Sequence, residues 1–248
     1  MELFVKLLLA HVLADFVLQP SSWVKHKEKH TWKSPYLYAH VGVYFMLTML
    51  LLGFNTAYWW PAALVALSHY VIDLLKCTLN KRWQTKKQFW DGKKQFPLYS
   101  FVVDQALHIS VLILWVGLNN GWNLHDFLPV TTGFWMLALC LLLLTQVSSI
   151  VIKMIVTRWI PEMPIPDGSL QNAGTYIGML ERLMVFVFVV TGHWEGIGFL
   201  IAAKSVLRYG DLKEAHDRSL SEYVLIGTLL SFGLALGIGL LYLQMIGS

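Results

Sequence analysis

Along the chain, long apolar runs alternate with short polar connections. A helix needs roughly 17 to 25 residues to cross a hydrocarbon core about 30 Å thick. Seven or eight runs meet that need, allowing for short or tilted members, at about 3–19, 36–53, 57–77, 98–118, 131–155, 175–193, 194–209 and 221–244. The seventh is the weakest, since its apolar part lies between Glu195 and Lys204; read as re-entrant, it leaves seven spans. The expected fold is all-α, a polytopic transmembrane helical bundle. Composition narrows the class further. The 248 residues are 56% apolar and 14% charged, with mean hydropathy +0.55, too little charge to clothe a soluble globule of this size.

Charge then sets an orientation, because Lys and Arg gather in cytoplasmic connections. Lys25, Lys27, Lys29 and Lys33 lie in the first connection, and Lys76, Lys81, Arg82, Lys86, Lys87, Lys93 and Lys94 in or beside the third. Lys153 and Arg158 border the fifth, and Lys204, Arg208, Lys213 and Arg218 the seventh, so 17 of the 19 basic residues fall on one face. Both termini are expected outside the cytoplasm. The same distribution accounts for the pI near 9.0 without nucleic-acid binding. The first run has little basic flank and contains His11 and Asp15, so it reads as a span and not a signal peptide. Cys77 and Cys140, far apart in or at the ends of spans, point to packing and not to a disulfide or thiolate site.

The whole chain, 1–248, reads as one membrane domain, since the longest polar connection, about 78–97, is too short for a core of its own. It has two halves. The four spans within 1–118 hold nearly all the His and Asp that fall inside spans, while the four within 131–248 hold Glu181, Arg182, Lys204 and Glu222. The connection 158–174, with Pro161, Pro164, Pro166 and Gly168, is expected to be non-helical. A weak repeat links Leu9-Ala-His-Val-Leu-Ala-Asp15 with Leu67-Ser-His-Tyr-Val-Ile-Asp73.

Residues four apart share a helix face, so His11 with Asp15 and His69 with Asp73 each present an imidazole and a carboxylate together. Asp104 and His108 reverse the order on a span that runs the other way. At 1.5 Å per residue the three Asp fall roughly 6 to 9 Å, and the three His roughly 12 to 15 Å, from the cytoplasmic ends. His40 falls in the same layer. A carboxylate within hydrocarbon costs several kcal/mol unless it finds a partner, so the layer needs a cause. A divalent metal bound by His11, Asp15, His40, His69, Asp73, Asp104 and His108 is the leading one, since mixed imidazole and carboxylate ligands suit Zn, Mn or Fe. A helix-gluing polar network and a proton or ion path are the alternatives. Seven candidates exceed one ion's needs, so the site is dinuclear or some residues orient ligands and act as general base.

Gln19 and Gln105 lie beside this layer as substrate-binding candidates, although helix packing is the commoner use of a membrane Gln. His26 and His30 read as part of a solvated basic stretch that meets anionic lipid. Trp59 and Trp60 fit an interfacial belt. In the second half, Arg182 and Lys204 either pair with acidic neighbours or hold an anionic headgroup near the metal.

Leu9-Ala-His-Val-Leu-Ala-Asp-Phe-Val-Leu-Gln19, Ser68-His-Tyr-Val-Ile-Asp73 and Asp104-Gln-Ala-Leu-His108 resemble the bacterial multi-pass membrane family grouped as domain of unknown function 3307. Gly178-Met-Leu-Glu-Arg182, Ile197-Gly-Phe-Leu-Ile-Ala-Ala-Lys-Ser205 and Glu222-Tyr-Val-Leu-Ile-Gly-Thr-Leu-Leu-Ser231 extend that resemblance over nearly the whole chain. The family brings no established activity. More distantly, the paired His-x-x-x-Asp motifs resemble bacterial inner-membrane metal-dependent hydrolases and helical zinc-dependent phospholipases C and nucleases. The expected function is an intramembrane metal-dependent hydrolase of a lipid or lipid-linked substrate, approached from the cytoplasmic leaflet, with Asp15, Asp73 or Asp104 as base. A divalent-cation or proton transporter, and a membrane sensor or scaffold, are the competing classes. The outer halves of the first four spans are almost wholly apolar, which favours a one-sided site over a path.

Overall fold

The computed structural model describes residues 2–85, 96–120, 133–157, 173–215 and 218–247. All regular structure among them is helical: α1 (Glu2–Val12), α2 (Ser21–His30), α3 (Pro35–Leu51), α4 (Trp59–Thr85), α5 (Phe96–Asn120), α6 (Gly133–Leu142), α7 (Ser148–Val156), α8 (Ala173–Thr191), α9 (Trp194–Ala215) and α10 (Arg218–Ile246). Short 3-10 turns precede α3 and α4, and two π-turns, Leu13–Val17 and Leu143–Val147, follow α1 and α6.

The helices expose apolar faces and bury polar and charged side chains beside apolar ones. On α4, Trp60, Leu64, Leu67, Val71, Leu75 and Leu79 form an exposed stripe at spacings of three and four. The opposite face buries Val65, Ala66, His69, Asp73 and Asn80. Helices in lipid satisfy their backbones internally and turn costly side chains toward one another. The protein is accordingly a multi-pass membrane protein with an all-α bundle.

Among the described residues, five helical stretches are long and apolar enough to cross a membrane: Thr56–Arg82, Leu98–Asn119, Gly133–Val156, Ala173–Thr191 and Val224–Ile246. Three expected spans differ from simple crossings. The first ends at Val17, and the chain then bends by 87° into α2; counting the bent pair as one span makes six. Pro20, which caps α2 at φ −62° and ψ 148°, has no N–H to continue the preceding helix. The second, α3, is a shorter apolar helix of 17 residues. The seventh is α9, where Glu195, Lys204, Arg208 and Asp211 interrupt the apolar run, so it is not among the five.

The described residues form two compact units, 1–139 and 140–248, with the boundary inside α6. In the first, α1, α3, α4 and α5 enclose a core that includes Leu7, Ala10, Tyr44, Val65, Leu112 and Val116. In the second, α8 packs along α10, where a Cβ on Gly239 would lie 2.8 Å from Val189 Cγ1. Only glycine permits that approach. Cys77 and Cys140 are buried free thiols. Residues 86–95 of the basic connection, 158–172 of the proline-rich one, His125, His216 and the side chain of Arg208 lie outside the described residues.

Candidate metal centre

The centre is assembled at one end of the first unit's apolar core. His11 comes from α1, Asp15 from the π-turn after it, His40 from the first turns of α3, His69 and Asp73 from α4, and Asp104 and His108 from α5. All seven expected ligands are brought together, and all but the slightly more open Asp15 are buried.

Their pairing differs from what helix spacing implies. His11 Nε2 lies 3.9 Å from Asp15 Oδ2 and instead meets Gln105 Oε1 at 3.1 Å. A π-turn, in which Leu18 N–H donates to the Leu13 carbonyl five residues back, carries Asp15, although Asp104 and His108 on the regular α5 also stand 3.7 Å apart. This wider turn takes Asp15 out of strict α-register with His11. Asp15 Oδ1 then lies 3.1 Å from His40 Nε2 and 3.4 Å from His69 Nε2. Those two imidazole nitrogens are 2.9 Å apart, and Asp73 Oδ2 is 3.7 Å from His40 Nε2. The tight contacts therefore run between helices, not along them.

Hydrogen bonds orient the remaining groups. The Gln105 amide donates to Asp15 Oδ2 and Asp104 Oδ2, both at 3.2 Å, which leaves its oxygen to accept from His11. Gln105 thus ties three site residues together. His108 Nδ1–H donates to the Asp104 carbonyl at 2.9 Å, so its Nε2 carries a lone pair. That Nε2 and Asp104 Oδ1 are both buried with no hydrogen-bond partner, as are His40 Nδ1, His69 Nδ1 and Gln19 Nε2. Buried polar atoms normally find partners, and these are the positions where a cation, water or ligand would supply one. Tyr44 stacks on His69 at 4.5 Å between ring centroids, and His11 on His108 at 4.8 Å, which fixes the ring planes.

Two lysines complete the site. Lys27 Nζ donates to Asp73 Oδ2 at 2.5 Å, and Lys76 Nζ to Asp104 Oδ2 at 2.7 Å. Lys27 is buried, which corrects its reading as part of a solvated stretch: α2 folds back against α3 and α4 and carries it inward. Its neighbours His26 and His30 stack on each other at 4.1 Å outside the centre, and His26 Nδ1 pairs with Ser34 Oγ at 2.8 Å. The stripe Trp23, Lys27, His30 at helical spacing was the available signal for α2, and the i, i+3 step from Asp73 that for Lys76.

Arg182 and Lys204 belong to the second unit. The buried Arg182 guanidinium donates from Nε to the Leu144 carbonyl, from Nη2 to the Thr145 carbonyl and Ser149 Oγ, and from Nη1 to Ser231 Oγ. The π-turn Leu143–Val147 opens those two carbonyls to a side-chain donor. Lys204 Nζ donates to Glu181 Oε2 at 2.6 Å.

Three residue groups, His11–Asp15–His69, His40–His69–Asp73 and Asp73–Asp104–His108, offer ligand atoms within 4.8 Å of one another. Fold and site together define a multi-pass helical membrane protein with a buried His/Asp centre suited to a metal ion. The chain belongs to the family described as protein of unknown function (DUF3307), which matches residues 3–135, just over half of its length. That region contains the entire His/Asp/Lys centre, whereas the resembling segments of the second half lie beyond it. Comparisons with curated proteins and with solved structures gave no match.

Proposed function

We propose that the protein is an intramembrane metal-dependent hydrolase acting on a lipid or lipid-linked substrate. One observation carries the reading: His40 Nε2, His69 Nε2 and Asp15 Oδ1 stand 2.9–3.4 Å apart. For metal–ligand bonds of about 2.0–2.1 Å, adjacent ligand atoms are about 2.9 Å apart in an octahedron and about 3.3 Å in a tetrahedron. Asp73 Oδ2, 3.7 Å from His40 Nε2, is the fourth ligand. Imidazole with carboxylate favours Zn, with Mn and Fe as alternatives.

A bound ion would lower the pKa of a water toward 7. Asp104 is suited to take the water's proton, because Lys76 and Gln105 occupy Oδ2 and leave Oδ1 bare. Gln105 holds Asp15 and Asp104 at a fixed separation. Packing beyond His11 and His69 is apolar, with Leu7, Ala10, Val65, Leu112 and Val116 closing that end, which supports entry from one side only. The basic connections support reading that side as the cytoplasmic leaflet of a bacterial inner membrane, with both termini opposite. Impermeant labelling of single-cysteine variants in intact cells tests this topology; labelling within 86–95 overturns it.

Asp73→Asn should abolish release of lipid product by the purified protein while leaving it folded and membrane-inserted. If wild-type protein in sealed liposomes moves divalent ions and releases no product from lipids of any headgroup class, the hydrolase reading fails and a transporter replaces it.

A further inference from the structure

We infer that the reacting group of the substrate is a phosphodiester monoanion, received by Lys27 and Lys76. This rests on the metal-dependent reading above. Asp15, Asp73 and Asp104 bring three negative charges to the centre, and Lys27 and Lys76 two positive ones. Glu28, partly exposed on α2, reaches Asn80 at 3.4 Å and not the centre. With His40 and His69 uncharged, as metal ligation requires, and the buried His11 and His108 counted as uncharged with them, the residues alone carry one net negative charge. One divalent ion reverses this to one positive charge. Proton transfers within the centre leave that total unchanged.

A buried centre with uncompensated charge is costly, so the bound state nearest neutrality is favoured. A neutral ester or amide leaves the excess positive charge in place, and a phosphomonoester dianion overshoots it. A phosphodiester carries one negative charge and cancels it. A second divalent ion would raise the excess to three, so the lysines serve in place of a second metal.

The geometry agrees with this assignment. The two ammonium groups hold the carboxylates on the side away from the apolar core, and Lys76 keeps 29% of its side chain exposed where Lys27 keeps 4%. A metal on Asp73 Oδ2 and the Lys27 ammonium compete for the same oxygen, so metal binding releases donor capacity from Lys27 toward an incoming phosphoryl oxygen. Water would add to phosphorus as one ester P–O bond breaks. The water proton passes through Asp104 Oδ1 to the leaving alkoxide, and the products are a phosphomonoester and an alcohol.

The test is binding to the purified, metal-loaded full chain in detergent. The probes are a hexadecyl methylphosphonate monoanion, the soluble methyl methylphosphonate, and a neutral hexadecyl carboxylic ester. The lipidic phosphonate should bind only with metal present and more tightly than the neutral ester. Lys76→Met and Lys27→Met should each weaken phosphonate binding about tenfold and tighten metal binding about tenfold, because each removes a competing cation. Lys76→Arg should preserve both. A merely structural lysine lowers both affinities when replaced, and that result overturns the inference, as does equal or tighter binding of the neutral ester. Equal binding of the soluble phosphonate supports the phosphodiester chemistry and assigns it to a soluble source. A wild-type chain that binds no divalent metal removes the metal-dependent reading itself, a separate failure.

Discussion

Each unit of the molecule builds a buried polar cluster on a π-turn, and the two differ in what they leave unsatisfied. Around Leu143–Val147, one guanidinium answers two backbone carbonyls and two serine hydroxyls. Among the described residues of that unit, no buried side-chain nitrogen or oxygen lacks a partner. Around Leu13–Val17, three carboxylates, four imidazoles, two lysines and one amide gather, and four buried polar atoms of the cluster have no side-chain or backbone partner. A saturated network holds helices together; an unsaturated one holds a place for something else. The same backbone device therefore serves packing in one unit and a candidate site in the other.

The largest expected effect that separates them is on stability. Arg182→Met leaves the Leu144 carbonyl and Ser231 Oγ without the guanidinium, while the Thr145 carbonyl keeps its bond from Ser149 Oγ, and should cost about 3 kcal/mol. Denaturant titration in detergent measures it, and divalent-metal content should not change. Loss of metal in this variant would show that the clusters are not separable in role. Gln105→Leu should do the opposite. It removes the amide that ties His11, Asp15 and Asp104 together without removing a ligand, so metal affinity should fall roughly 10- to 100-fold. Competition with a chromophoric chelator reads this, and an unchanged affinity would show that the carboxylates hold themselves. The smallest effect belongs to Lys204→Met. Its ion pair with Glu181 is partly exposed, and its loss should cost below about 1 kcal/mol in the same titration. A larger loss would place Glu181 in an interior as dry as that around Arg182.

The bundle and the site were unequally legible before the structure. Apolar runs marked the long helices, and the shared depth of His11, His40, His69 and His108 marked the layer in which they meet. Spacing along one helix reports neighbours on that helix only, so it offered His69 with Asp73 where the structure pairs Asp73 with Lys27 and His69 with His40. The π-turn had no signature either, because one extra residue per turn inside Leu13-Ala-Asp-Phe-Val17 leaves an apolar run apolar. Lys27 was hidden by its neighbours Lys25, Lys29 and Lys33, whose charge reads as a solvated connection. Its burial follows from the bend at Pro20, a tertiary event. Gln105, which the sequence offers either as a substrate contact or as a helix-packing amide, has both ends of its amide engaged inside the cluster.

The central claim is that the first unit's unsatisfied cluster is completed by a divalent ion. Elemental analysis of chain purified without added metal or chelator, wild type beside His69→Ala, tests it most directly. One divalent ion per wild-type chain, lost in His69→Ala protein that keeps its helical content and migrates as a folded species, is the predicted result. Metal absent from both, or retained in full by His69→Ala, would contradict it.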